Sequence, residues 1–146
     1  MQTFLPYPDF LDTMKCLDRQ RLGKQRIESR QIYNIVSGQA KSNAWKHHPA
    51  VLMWKGFADA LALYHNVCIN EWINRGYKNT MSLLPISQKI LFPYWLGDNN
   101  FHKSHRQTLL YKNFEWYSQF GWKEEPKYEY FWPVRIKNIL TSLIEK

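Results

Sequence analysis

A chain of 146 residues, 45% hydrophobic and 22% charged, has the length and composition of one globular domain. No low-complexity tract marks disorder, no window of eighteen apolar residues could span a bilayer, and the opening residues do not read as a secretory leader. Twenty Lys and Arg against twelve Asp and Glu leave a formal charge of +8, which favours an anionic partner, nucleic acid first, over a membrane surface.

In chain order, Pro6 and Pro8 disfavour helix before them, so the first eight residues are expected to be extended. Asp9 is placed to cap a short helix through Phe10, Met14 and Leu17. Asp18 then caps a second helix to Val36, with Leu22, Ser29, Ile32, Tyr33 and Val36 turned inward and Gly38 as its stop. Gly23 inside it either admits a close neighbour or marks a boundary. After a polar loop over 39–48, Pro49 opens a long central helix carrying Leu52, Met53, Phe57, Leu61, Tyr64, Cys68, Ile69 and Trp72 and ending at Arg75 and Gly76.

Pro85 and Pro93 keep 77–100 irregular. Asn99 or Asn100 caps a helix from Phe101 to Phe120, closed by Gly121, and Pro133 is placed to open a last helix through Leu143. The expected fold is therefore all-α, a compact single-domain helical bundle with irregular aromatic-rich loops, residues 1–146 forming one nucleic-acid-binding domain. Cys16 and Cys68 lie among apolar neighbours and read as buried thiols.

Lys15, Arg19, Arg21, Lys24, Arg26 and Arg30 crowd one early stretch, opposed only by Asp18 and Glu28. Such a patch binds phosphates in a salt-sensitive, sequence-blind way, and arginine forks suit phosphate oxygens. The plainer reading is a solvated helix face. Glu28 shares a face with Arg21, Lys24 and Gln31. A carboxylate on a phosphate-binding surface repels the ligand unless it has another task. Supporting the cation formed as a glycosidic bond breaks, or activating a nucleophile at C1′, is such a task. An ordinary Lys24–Glu28 pair is the alternative.

A Schiff-base mechanism needs an amine. Lys24 is one source; the α-amine of Met1 is the better one, since its reference pKa of about 7.7–8.0 leaves a neutral fraction at pH 7. His47 and His48, at the entry to the central helix, and His105 and Arg106, near the start of a later one, are placed as nucleic-acid contacts, with a structural role open for each histidine. His102 and His105 have chelating spacing, but no Cys or nearby carboxylate completes a site, so neither metal nor cofactor is expected. Walker, dinucleotide, HExxH and deaminase motifs are absent.

Several stretches resemble a bacterial and viral family classed with the pyrimidine-dimer DNA glycosylases. They are the opening Met1-Gln-Thr-Phe-Leu-Pro-Tyr-Pro-Asp-Phe10, Leu17-Asp-Arg-Gln-Arg-Leu-Gly-Lys-Gln-Arg26, His48-Pro-Ala-Val-Leu-Met-Trp54, Ser104-His-Arg106, Phe120-Gly-Trp122 and Tyr130-Phe-Trp-Pro133. A fainter likeness extends to the characterised phage dimer-excising endonuclease. That resemblance implies a mainly helical enzyme that flips a base from kinked DNA and cuts the glycosidic bond with an N-terminal amine and one glutamate. The glutamate falls at Glu28 and a DNA-surface histidine at Arg21, with Arg26 and Arg30 near flanking arginines. Arg75-Gly76-Tyr77 matches a later turn. Gln2 stands where the phage enzyme exposes a threonine amine; a bulky second residue normally leaves the methionine in place, so the resemblance implies that the nucleophilic amine belongs to Met1, one residue further out, or that the lyase step is missing.

The expected function is thus a DNA N-glycosylase, with a possible lyase step, acting on a damaged or modified pyrimidine. A non-catalytic nucleic-acid binder and a metal-dependent nuclease are the alternatives. The expected partner is double-stranded DNA, the state monomeric, and the location cytoplasmic, or nuclear or a virus factory for a eukaryotic host or virus.

Overall fold

The computed structural model describes residues 1–42 and 44–134, which form helices and loops with no strand among them. Of the helix expected to open at Pro133, everything beyond residue 134 lies outside the described residues. Helix α1 is Phe10–Cys16, capped by Asp9, whose carboxylate accepts from the Asp12 N–H at 2.9 Å. Helix α2, Arg19–Val36, buries Leu22, Gln25, Ser29, Ile32 and Tyr33 and stops before Gly38, which sits at φ 80°. Gly23 does admit a close neighbour: the Trp72 ring lies 3.2 Å from where a Cβ would stand.

Asp18 precedes α2 as expected, but its side chain makes no cap bond to the helix. It accepts instead from the Tyr117 hydroxyl, and from Arg21 at 3.1 Å, while its N–H donates to the Tyr117 oxygen at 3.0 Å. Tyr117→Phe is therefore expected to cost about 1–3 kcal/mol, because it strips partners from a buried carboxylate and N–H at once. Chemical denaturation checks it; an unchanged midpoint would show that the contact contributes nothing.

Two helices expected to be continuous are broken. The central one divides into α3, Pro49–Leu52, and α4, Ala58–Asn74. Gly56 adopts φ 87° between them, and Trp95 Nε1 donates to the Met53 carbonyl at 2.8 Å, giving the interrupted backbone a partner. The later one divides into α5, Asn99–Lys112, and α6, Phe114–Tyr117, extended by a short 3₁₀ turn over Ser118–Phe120. Asn113, at φ −152°, ends the first and caps the second through the Trp116 N–H. Asp98, not Asn99 or Asn100, caps α5.

Helices α2 and α4 pack side by side, with α1 against α4. The free carbonyls at the end of α1 are satisfied at long range. Arg75 Nη2 donates to Met14 O at 2.8 Å and Trp116 Nε1 to Cys16 O at 2.7 Å. Both cysteines are buried free thiols, and burial pushes each up to about 12, so they stay protonated.

What organises the interior is the extended N-terminal segment, buried from Gln2 to Pro6. Thr3 Oγ1 accepts from Trp54 Nε1 at 2.9 Å and the Phe4 N–H donates to Gln25 Oε1 at 3.0 Å. Leu5 is gripped from α5 on both its polar groups. Its N–H donates to His105 Nδ1 at 2.8 Å and its carbonyl lies 2.7 Å from His102 Nδ1. A carbonyl only accepts, so His102 carries its proton on Nδ1, and its Nε2 takes the Gly97 N–H at 2.9 Å.

Candidate active site

The clamped segment delivers the chain's first residue to a cleft. Met1, Gln2 and Phe4 form one wall, and Arg21, Lys24, Gln25 and Glu28 of α2 the second. Lys112, Tyr128 and Tyr130 close the third side. Residues 21, 24, 25 and 28 share a wall because three- and four-residue steps return to one side of a helix. The face read from sequence for Arg21, Lys24 and Glu28 thus faces a cavity.

Glu28 Oε2 accepts from Gln25 Nε2 at 3.0 Å. Lys24 is exposed and, among the described residues, pairs with no carboxylate. Lys112 lies 4.8 Å from the centre of the Tyr128 ring, a cation held over an aromatic face. Burial, and then the neighbouring Tyr128, raise the Tyr130 hydroxyl well above its ordinary value, which keeps it a neutral donor. Met1 also borders a second, more apolar hollow with Ile35, Ala40 and Trp45. The chain's first residue therefore stands between a charged cavity and a greasy one. Burial, and then the positive α-amine nearby, hold His48 below its usual range. Its Nδ1 accepts from the Ala50 N–H at 3.0 Å, capping α3, and its ring meets Trp45 and Trp132 edge-on. His47 is exposed on the loop before it.

Other candidates land elsewhere. His105, expected to meet phosphate, is fully buried in mid-helix and holds Leu5; burial lowers it to about 3, so it is neutral and out of a ligand's reach. Arg106 is likewise committed, donating to Glu124 at 2.5 Å and to the Pro6 carbonyl at 2.8 Å. The chelating pair His102 and His105 spends ring nitrogens on the backbone of Leu5 and Gly97.

The early cations also divide. Arg21 and Lys24 reach the cleft, whereas Arg26 lies over the Trp72 ring at 4.1 Å and donates to Asn79 at 3.2 Å. Arg30 donates to the Ser82 carbonyl at 3.2 Å. On the same flank as Arg26, Arg19 covers Tyr77 at 4.8 Å, and Tyr77 packs on Trp72. A single convergent patch is replaced by two flanks of one helix.

Sequence reasoning missed Gln2, Phe4, Gln25, Lys112, Tyr128 and Tyr130. Gln25 carried a readable signal, since it is the larger of two polar members, with Ser29, of the inward stripe Leu22–Gln25–Ser29–Ile32. The tyrosines carried none, because a loop gives no periodicity from which to place a ring.

Comparison with curated proteins and with solved structures returned no match. A family described as pyrimidine dimer DNA glycosylase matches residues 1–85, which include Met1, Glu28 and all of the α2 wall. With more than half of its length matched, the chain belongs to the pyrimidine dimer DNA glycosylase family.

Proposed function

We propose that this protein is a DNA N-glycosylase that excises a damaged or modified pyrimidine from double-stranded DNA after flipping a base, and that the Met1 α-amine is its nucleophile. The observation that carries the reading is that Met1 and Glu28 line one cleft, with Arg21 and Lys24 on its wall. In its neutral form the amine lone pair forms a bond to C1′. The C1′–N1 bond breaks with its electron pair leaving on the base, and the proton released by the amine passes to that base. Glu28 supports the positive charge that develops at the sugar. Opening of the sugar ring, with a proton taken up by its oxygen, leaves a Schiff base. Loss of a C2′ proton then expels the 3′ phosphate, which is the lyase step. Lys24, exposed and without a carboxylate partner among the described residues, holds a flanking phosphate, and Arg21, tied to Asp18 through Nη1, offers only its remaining N–H groups to another.

The test is borohydride reduction during incubation with duplexes carrying a pyrimidine dimer, a modified pyrimidine or an abasic site. A reduced covalent adduct is expected with wild type, and acetylation of the α-amine is expected to abolish it. A chain that excises nothing from this panel and traps no adduct, while still binding duplex, overturns the reading.

A further inference from the structure

A polar side chain without solvent contact sits directly behind the proposed chemistry. Gln25 is fully buried and stands on the inward stripe of α2, where an apolar residue would serve packing as well. Burying an amide is unfavourable unless its groups are bonded. Here they are. Its Oε1 accepts the Phe4 N–H at 3.0 Å, and the Tyr64 hydroxyl lies 2.7 Å from both that oxygen and the Phe4 carbonyl, one proton shared between them. The Phe4 N–H decides which end of the amide is oxygen, so Nε2 is the atom that meets Glu28 at 3.0 Å.

The geometry points to Gln25 as a positioning residue that joins the segment bearing the reacting amine to the Glu28 carboxylate and sets the spacing between them. This inference rests on the glycosylase reading above. Phe4 is three residues from Met1, and its neighbours are pinned independently, Thr3 by Trp54 and Leu5 by His102 and His105. The amine therefore hangs from a segment with little freedom. The carboxylate hangs from the same amide that holds that segment. A neutral amide does not titrate between pH 4 and 10, so the link holds whatever the protonation of the amine. Misplacement of reacting groups by about 1 Å can cost roughly 100-fold in rate, which is the size of effect such a brace can protect.

Two variants test it. Gln25→Glu keeps acceptors for Phe4 and Tyr64 but sets a second carboxylate against Glu28. Two carboxylates in contact share one proton and lose it in a coupled step. The surrounding charges and hydroxyls are the Met1 amine, Arg21, Lys24 and Lys112, with Tyr128 and Tyr130 in the cleft and Tyr64 behind it. Single-turnover excision by Gln25→Glu is expected to gain a descending limb that wild type lacks. Above that limb the rate should fall roughly 100-fold with KM little changed. Gln25→Met, which loses every bond, is expected to lose rate at all pH values.

A wild-type pH profile in Gln25→Glu overturns the inference. Should that variant fail to fold, the Gln25 side-chain amide resonances of the wild-type chain decide instead. They are expected to move as Glu28 titrates and to stop moving in Glu28→Gln, and resonances indifferent to pH overturn it. If wild type excises no base, the glycosylase reading falls by itself, and the amide titration still reports whether Gln25 holds Glu28.

Discussion

Glu28→Gln is expected to lower single-turnover excision by about 10²–10³-fold, the usual scale for removing one preorganised electrostatic partner of a transition state. The substitution is close to isosteric, and its amide oxygen can still accept from Gln25 Nε2, so the cleft should keep its shape. What disappears is the negative charge that the proposed chemistry sets against the sugar. That charge also repels phosphate, so duplex affinity at low salt should be unchanged or slightly higher. Excision assays beside fluorescence anisotropy on the same duplex separate the two effects. Turnover within a few-fold of wild type would remove Glu28 from the chemistry. A parallel collapse of binding would make it a structural residue instead. Arg26→Gln makes a useful contrast, since its guanidinium is held by Trp72 and Asn79 on the other flank of α2.

Acid should undo the fold through the same histidines that fix the N-terminal segment. His105 falls from an ordinary 6.5 to about 3, first because it is buried, then because of His102. Burial also lowers His102, His65 and His48. For a group whose folded value is depressed, the unfolded chain binds the proton more readily. Stability is therefore full above the unfolded value and drains away as pH falls toward the folded one. For His105 the window runs from about 6.5 down to about 3. At roughly 1.4 kcal/mol per unit, its share reaches on the order of 4 kcal/mol at the bottom of that window.

Urea midpoints measured across that range should fall steeply for wild type. They should fall less for His105→Gln, which offers an oxygen to the Leu5 N–H and does not titrate. Equal slopes would mean that His105 is not held neutral. Because a protonated His105 cannot accept the Leu5 N–H, the N-terminal amides should also exchange faster as pH falls.

Much of the fold could be read from local sequence. Asp9 caps α1, Gly38 and Gly121 adopt positive φ beyond helix ends, and Cys16 and Cys68 are buried. Each depends on residues within a turn or two. The breaks at Gly56 and Asn113 were harder, since an apolar stripe runs through both. A glycine or asparagine is tolerated in a helix until a long-range partner stabilises the interruption. Trp95 provides one at Met53.

Charge, helical class and the shared face of Arg21, Lys24 and Glu28 are legible in the residues alone, because all three follow from composition and the period of a helix. Long-range packing alone puts Met1 and Glu28 on the walls of one cleft, turns Arg26 and Arg30 to other partners, and commits His105 to the core. The reason is separation along the chain: Leu5 and His105 lie 100 residues apart, and Gln25 and Phe4 21. No local preference encodes which donor will meet which acceptor across such distances; burial does, because a polar group taken out of water is costly unless the packed chain brings it a partner.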